Sequence, residues 1–148
     1  MAAFLLDANV LIALAWPRHE FHSKVGTWFA RQCDQGWATC PFTQAAFVRI
    51  VSNPAFSVDA VSVENAVRLL ETSLNLPNHH FWPDSMSVPA ALKSAGRLTG
   101  HQQIADAYLL GLAIHHRARV ATLDRGMRVW GAEGVVEVIA QGPARHLG

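Results

Sequence analysis

Short apolar segments alternate with helix-like segments along the chain, and this alternation constrains its fold more than any other feature. Strands are predicted for residues 3–6, 37–40, 80–82, 119–123 and 135–139. Helices are predicted for residues 10–16, 19–32, 43–51, 62–74, 88–97 and 101–117. This order is typical of an α/β domain, an α/β/α sandwich with a mostly parallel central sheet flanked by helices. Ligands of such domains bind beyond the carboxyl ends of the strands.

The composition is that of one globular domain. The 148 residues are 51% hydrophobic and 16% charged, which excludes intrinsic disorder and predicts a single domain over residues 1–148. The longest apolar run covers residues 10–16, whereas a membrane span needs about 20 residues. We therefore expect a cytoplasmic protein with no membrane partner, in which Cys33 and Cys40 are reduced.

Two aspartates come directly after predicted strands. Asp7 follows Leu6, and Asp124 follows Leu123. Because the carboxyl ends of parallel strands meet at one edge of a sheet, we expect both carboxylates at that edge. Each also has a simpler interpretation as the N-cap of a following helix, a position that aspartate favours.

A third aspartate, Asp106, lies in a predicted helix that is apolar on nearly every side. The residues that share its face are Leu109, Leu110 and Ala113. A helix that is apolar all round is a buried helix, and an unpaired carboxylate is unstable in such surroundings. The sequence therefore predicts either a structural salt bridge at Asp106 or a role in metal binding or catalysis.

The three aspartates would repel one another strongly if they met without a cation. Their hard oxygen atoms suit Mg²⁺, with Mn²⁺ as a plausible substitute, and such an ion polarises a phosphodiester and activates water. The formal net charge is only +1, so a nucleic acid would need a local basic patch. Arg49 and Arg125 are the candidates for RNA contacts.

Three motifs resemble those of PIN-domain proteins, and in order and spacing they resemble the VapC toxin ribonucleases of type II toxin–antitoxin systems. They are Phe-Leu-Leu-Asp-Ala-Asn-Val-Leu-Ile at 4–12, the helix at 104–113 around Asp106, and Val-Ala-Thr-Leu-Asp at 120–124. The resemblance covers essentially the whole chain. It implies a PIN-like fold and a Mg²⁺-dependent endoribonuclease that hydrolyses RNA with a metal-activated water. It also implies a homodimer and a cognate VapB-type antitoxin.

The resemblance assigns metal binding and catalysis to Asp7, Asp106 and Asp124. It assigns to Asn9 and Thr122 the hydrogen bonds that orient these ligands.

One departure from the family pattern concerns the helix after the second strand. The family usually places a glutamate there, but residues 41–50 contain no acid. Thr43 and Gln44 occupy this region, and Gln44 offers an oxygen without a negative charge. Asp84 is either a replacement acid or a cap. The loss leaves open whether one or two metal ions bind and whether activity is complete.

Two alternatives remain open at this stage. The first is a catalytically weak or inactive PIN-like protein that acts mainly by binding an antitoxin or another partner. Large apolar residues would then line a groove for an amphipathic helix, although core packing is their commoner role: Trp16, Phe21, Trp28, Phe47 and Phe56. The second is a phosphatase with Asp7 as covalent nucleophile.

Overall fold

The computed structural model describes residues 4–56, 61–93, 100–128 and 134–139. Within these ranges, five parallel strands form one sheet in the order β3-β2-β1-β4-β5. The strands are β1 (Phe4–Leu6), β2 (Trp37–Thr39), β3 (His79–Phe81), β4 (Arg119–Thr122) and β5 (Val136–Val138). The predicted α/β class with a parallel sheet is confirmed.

Each predicted helix is present. Those of the described ranges are α1 (Ala8–Ala15), α2 (His22–Gln32), α3 (Pro41–Val51), α4 (Val63–Leu74), α5 (Val88–Leu92) and α6 (Ile104–His115). The ends of α1, α2, α3 and α6 differ from the predicted ones by two or three residues. Helix α2 begins three residues later than predicted, because the Phe21 amide donates to His19 Nδ1 (3.0 Å) in a turn. The predicted helix start at His101 is a 3-10 helix that leads into α6. Residue 3, and residues 94–97 of the helix predicted at 88–97, lie outside the described part of the chain.

The alternation of side chains along each strand divides the core between the two faces of the sheet. Leu5 and Val120 point to the face covered by α5 and α6. Phe4 and Leu6 point to the opposite face, which α1–α4 cover. The centre of the sheet is thus buried on both sides, as expected of parallel strands.

The order of the strands reverses beside β1, where an open α/β sheet usually has its binding crevice. From β1 the chain moves through β2 to β3 on one side, and then crosses to β4 and β5 on the other. Strand β1 therefore pairs with both β2 and β4, with Leu6 opposite Ala121. Ligands of open α/β sheets bind at the carboxyl ends of the strands where the order reverses, which is the end of β1 and β4 here.

Two further structural facts concern the cysteines and the helices. Cys33 and Cys40 are not joined in a disulfide. None of the helices in the described ranges has the length and hydropathy that a membrane span requires.

Helix α6 packs against α5 so closely that only glycine fits at position 111. A Cβ atom there would overlap the carbonyl oxygen of Ala91 and lie 2.7 Å from its carbonyl carbon. The obstacle is backbone, so it cannot rotate away. We expect Gly111→Ala to lower the free energy of unfolding by about 1–3 kcal/mol, despite the higher helix propensity of alanine. Denaturant unfolding measures this change.

Gly26→Ala is the matched control. Gly26 lies inside α2, and a Cβ atom there would meet nothing within 4 Å. With no clash, helix propensity alone should raise stability by about 0.5–1 kcal/mol. Equal effects of the two substitutions would show that the close approach of α5 and α6 does not limit residue 111.

Candidate active site

Asp7 links the end of β1 to the start of α1. Its amide donates to the carbonyl oxygen of Ala121 (2.9 Å), which continues the pairing with β4 by one residue. Its Oδ1 accepts from the Ala8 amide at 2.7 Å, so Asp7 is the N-cap of α1. Asp7 is therefore a helix cap, as its simpler interpretation predicts, and it also lies at the carboxyl end of β1.

Thr122 fixes the other oxygen of this carboxylate. Its hydroxyl donates to Asp7 Oδ2 at 2.8 Å and accepts from the Asp124 amide at 3.0 Å. Asn9 Nδ2 donates to the same hydroxyl at 3.4 Å, and Asn9 Oδ1 accepts from the Leu123 amide at 3.1 Å. Thr122 is fully buried. Asn9 and Thr122 thus hold the ends of β1 and β4, and with them Asp7 and Asp124, in one rigid arrangement.

Asp106 lies on the first turn of α6, half-buried where the helix enters the core. The seven residues that follow it, 107–113, are all buried, as the apolar pattern predicts. Burial, and to a smaller extent the negative charges of Asp7 and Asp124, raise the pKa of Asp106 from its ordinary 3.8 to about 6. In the described ranges no arginine or lysine forms an ion pair with Asp106, so the salt-bridge interpretation has no support there.

Asp7, Asp106 and Asp124 are close enough to affect one another electrostatically, and we call these three residues the acidic cluster. Burial raises the pKa of Asp7 as well, the hydrogen bonds from Thr122 and Ala8 oppose this, and the charge of Asp124 adds to it. Asp124 itself is exposed, and its Oδ1 accepts from the Gly126 amide at 2.8 Å. The anionic forms of Asp7 and Asp106 are therefore destabilised, mainly by burial and further by neighbouring negative charges.

Thr43 and Gln44 have partners of their own. Thr43 is buried and caps α3, accepting from the Cys40 amide and donating to the Cys40 carbonyl oxygen, both at 3.1 Å. Gln44 Nε2 donates to Thr39 Oγ1 at 3.0 Å, and this oxygen lies 2.7 Å from His79 Nε2. Gln44 is thus held at the carboxyl end of β2. The sequence analysis missed Thr39 and His79, although Thr39 is the last polar residue of a predicted strand.

The remaining candidates lie apart from this cluster or on its border. Asp84 interacts instead with Tyr108 and Cys40. Burial is the main cause of the raised pKa of each, and the negative charge of Asp84 adds to it. Arg125 follows Asp124 directly in an exposed 3-10 helix. Arg49 is exposed near the end of α3.

A divalent cation fits the chemistry of the acidic cluster. Asp7, Asp106 and Asp124 supply hard oxygen donors, and their mutual repulsion is the charge that a cation would offset. Within the described ranges no three His, Cys, Asp or Glu side chains are close enough to hold an ion by themselves. This arrangement does not suit a closed zinc cage, but it suits Mg²⁺, which retains several waters and needs only one or two carboxylates.

Comparison with known proteins identifies the family that this fold and site define. The family profile described as PIN domain matches residues 4–131. The chain belongs to the PIN-domain family, and within it to the VapC group. Ribonuclease VapC39 of Mycobacterium tuberculosis is 38% identical over 138 residues, which are 91% of this chain and 98% of that protein. Ribonuclease VapC29 of the same organism is 42% identical over 124 residues, 83% of this chain and 86% of that protein.

Solved structures share the fold at low sequence identity. A chain of VapBC2 from Rickettsia felis, crystallised with a DNA fragment from their promoter, superposes with a TM-score of 0.66 at 12% identity. The match covers 92% of this chain and 98% of that one. A chain of FitAcB from Neisseria gonorrhoeae gives a TM-score of 0.59 at 23% identity, covering 84% and 89%.

Proposed function

We propose that this protein is a divalent-metal-dependent endoribonuclease of the VapC type, the toxin of a toxin–antitoxin pair. The observation that carries the proposal is the cluster of Asp7, Asp106 and Asp124 at the point where the strand order reverses. The RNA-hydrolysing activity is supported by relatives that are named ribonucleases and align over most of their length.

Each side chain of the cluster has a distinct part in the proposed reaction. Asp7 and Asp106 would hold Mg²⁺, or Mn²⁺ in its place, and Thr122 keeps Asp7 aimed at the crevice through its hydrogen bond. When bound, the ion supplies positive charge to the phosphodiester and lowers the pKa of water. Asp124 is exposed and accepts the proton of the attacking water. The water oxygen bonds to phosphorus, the P–O bond to the leaving sugar breaks, and solvent protonates the leaving oxygen.

The RNA and the partners are also proposals. Single-stranded or looped RNA suits an open crevice, because its backbone and bases are accessible. Arg125, beside Asp124, and Arg49 would contact phosphates. The similarity to a chain of the VapBC2 structure supports a cognate VapB-type antitoxin as the partner. Homodimer formation remains an expectation from the family resemblance, and the cytoplasmic location remains an expectation from the short apolar runs of the sequence.

A weakly active or inactive partner-binding protein is the second candidate function. Gln44 favours it, because the helix after β2 carries no acid and the Gln44 amide is engaged with Thr39. The proposed groove residues give less support. Phe47 is fully buried in the core, so its assignment to a groove is wrong. Trp28 is only 6% exposed, although it lines a surface cavity beside α2 and β5. Trp16, Phe21 and Phe56 are partly buried against the same core, with Trp16 and Phe56 in edge-to-face contact. The family match removes the basis for the phosphatase hypothesis.

One experiment separates the two candidates. Total RNA is incubated with wild-type protein or Asp106→Asn, each with Mg²⁺ and with EDTA. The nuclease proposal expects cleavage only for the wild type with Mg²⁺. No Mg²⁺-stimulated cleavage, with partner binding intact, favours the partner-binding protein. Cleavage that persists in Asp106→Asn or in EDTA contradicts the assignment of the site.

A further inference from the structure

A cavity of about 600 Å³ lies beside the acidic cluster. It opens between the first turn of α3, the segment that leads into α5, and the first turns of α6. Its walls are mainly apolar, with one carboxylate among them: Phe42, Asp84, Met86, Ile104, Ala105 and Tyr108. Its volume is within the usual range for pockets that enclose a small molecule or one group of a larger ligand.

An aromatic pair forms one wall of the cavity. The rings of Phe42 and Tyr108 stack with centroids 5.9 Å apart and planes inclined by 26°. Tyr108 is 5% exposed, but Phe42 is 42% exposed although it is a large apolar side chain. A second planar ring placed on the outer face of Phe42 would continue the stack, and nucleobases stack on aromatic side chains in this way.

Asp84 supplies a carboxylate to the cavity, which the polar residues Ser87 and His101 also line. Its negative charge is close enough to the Tyr108 hydroxyl to raise the pKa of that group. The Tyr108 hydroxyl donates its proton to the carbonyl oxygen of Met86 at 3.3 Å, which fixes the ring. A carboxylate has two oxygens and about four acceptor positions, so Asp84 retains capacity to accept further N–H groups from a ligand.

The cavity adjoins the reacting phosphate of the proposed reaction. Ala105 lines the cavity and Asp106 belongs to the acidic cluster, yet they are neighbours in α6 with Cα atoms about 3.8 Å apart. We therefore expect an RNA strand held at the cluster to bring the base of a nucleotide next to the cut toward the cavity and Phe42. This continuity favours a nucleobase over the arginine side chain of a partner protein, which also stacks and donates N–H groups.

We propose that this cavity binds an unpaired guanine next to the scissile phosphate, stacked on Phe42 and held by Asp84. Guanine is the base whose Watson–Crick edge presents two adjacent N–H donors, N1–H and the N2 amino group, to the two oxygens of one carboxylate. The proposal rests on the proposed ribonuclease function and adds to it a determinant of where the RNA is cut.

The first test reads the cut sites. Wild type, Phe42→Ala and Asp84→Asn each cleave a pool of random-sequence single-stranded RNA, and the new ends are sequenced. Guanine should be enriched at one position beside the cut in the wild type, and Asp84→Asn should lose that enrichment. Phe42→Ala should cleave about 10-fold more slowly, since base stacking contributes about 1–3 kcal/mol. Phe81→Ala and Asp34→Asn, two exposed residues outside the cavity, are matched controls that should behave as wild type.

The second test does not depend on catalysis. Asp106→Asn protein in EDTA is titrated with a short fluorescent oligouridine and with the same RNA carrying one guanine. We expect the guanine RNA to bind about 10-fold more tightly, as a good bidentate contact to a base predicts. Adding Asp84→Asn should abolish this difference, and adding Phe42→Ala should weaken the binding of both RNAs.

The outcomes distinguish the two proposals. Guanine-dependent binding without any cleavage would retain the cavity proposal and reject the nuclease. Cleavage with unchanged base preference in Asp84→Asn would reject the guanine site and retain the nuclease. If RNA binding is unchanged in both cavity variants while binding of a triarginine peptide is lost, the cavity is a protein-binding site and the proposal is wrong.

Discussion

Asp106→Asn is expected to abolish RNA cleavage and, in the same protein, to raise the stability of the metal-free fold above a pH of about 6. The two effects have one cause. Ionised Asp106 is disfavoured by burial and by the charges of Asp7 and Asp124, and asparagine removes both penalties. The same substitution removes a negative donor from the proposed metal site.

The expected magnitudes are unequal. Loss of a metal ligand that supplies several kcal/mol of transition-state stabilisation should slow cleavage by roughly a thousandfold. The gain in stability is smaller, on the order of 1–2 kcal/mol, because Asp106 is only half-buried and solvent screens its repulsion. Cleavage of a labelled RNA and urea unfolding in EDTA measure the two effects.

Glu71→Gln is the control for the change in charge. Glu71 is exposed on α4, away from the acidic cluster, so this variant should cleave and unfold like the wild type. Asp7→Asn should also lose cleavage, but its stability should rise less, because the Asp7 carboxylate accepts the bonds from Ala8 and Thr122. An Asp106→Asn protein that is less stable than wild type above pH ~6 would contradict a destabilised carboxylate in the native fold.

The fold follows closely from the sequence, because its signals are local. The apolar run before Asp7 and the one before Asp124 have the length and composition of buried strands, and the structure confirms both. The 3.6-residue period and the cap at Ser62 predict α4 to within one residue. Boundaries were less accurate where a side chain competes with the backbone, as His19 does before α2.

The site was predictable only in part, because its geometry depends on contacts between distant segments. That Asp7 and Asp124 come together follows from parallel strands, and the unsuitable surroundings of Asp106 follow from its apolar helix. The local sequence does not show that the Thr43 hydroxyl uses both of its hydrogen bonds to cap α3. Nor does the sequence show that Asp84 interacts with Tyr108. These outcomes depend on how the segments pack in three dimensions.

Mg²⁺ is expected to stabilise the wild-type protein strongly above a pH of about 6 and progressively less below it. Burial and the charges of Asp7 and Asp124 raise the native pKa of Asp106 from 3.8 to about 6, so its contribution to stability is complete below 3.8 and is lost as the pH rises through about 6. The raised pKa of Asp7 acts in the same direction. Mg²⁺ binds the ionised carboxylates, and protons compete with it. The stabilisation by Mg²⁺ is therefore greatest above a pH of about 6, where the metal-free protein has lost the stability that protonated Asp106 contributes.

Histidines also make the stability of the fold depend on pH. The difference between the melting temperatures with and without Mg²⁺ is therefore more informative than either pH profile alone. Burial lowers the pKa of His19, His79 and His116 below 6.5, so these residues destabilise the fold as the pH falls, opposite in sign to Asp106. Subtracting the melting temperature in EDTA from that in Mg²⁺ cancels their contribution, because they lie outside the acidic cluster.

Above a pH of about 6, where Asp106 is ionised, a hundredfold excess of Mg²⁺ over its Kd should raise the melting temperature by roughly 5–10 °C. Asp106→Asn should lose most of this increase, and K⁺ at equal ionic strength should not reproduce it. An increase that is the same at every pH, or that Asp106→Asn retains, would mean that Mg²⁺ binds elsewhere and that the acidic cluster does not hold the ion.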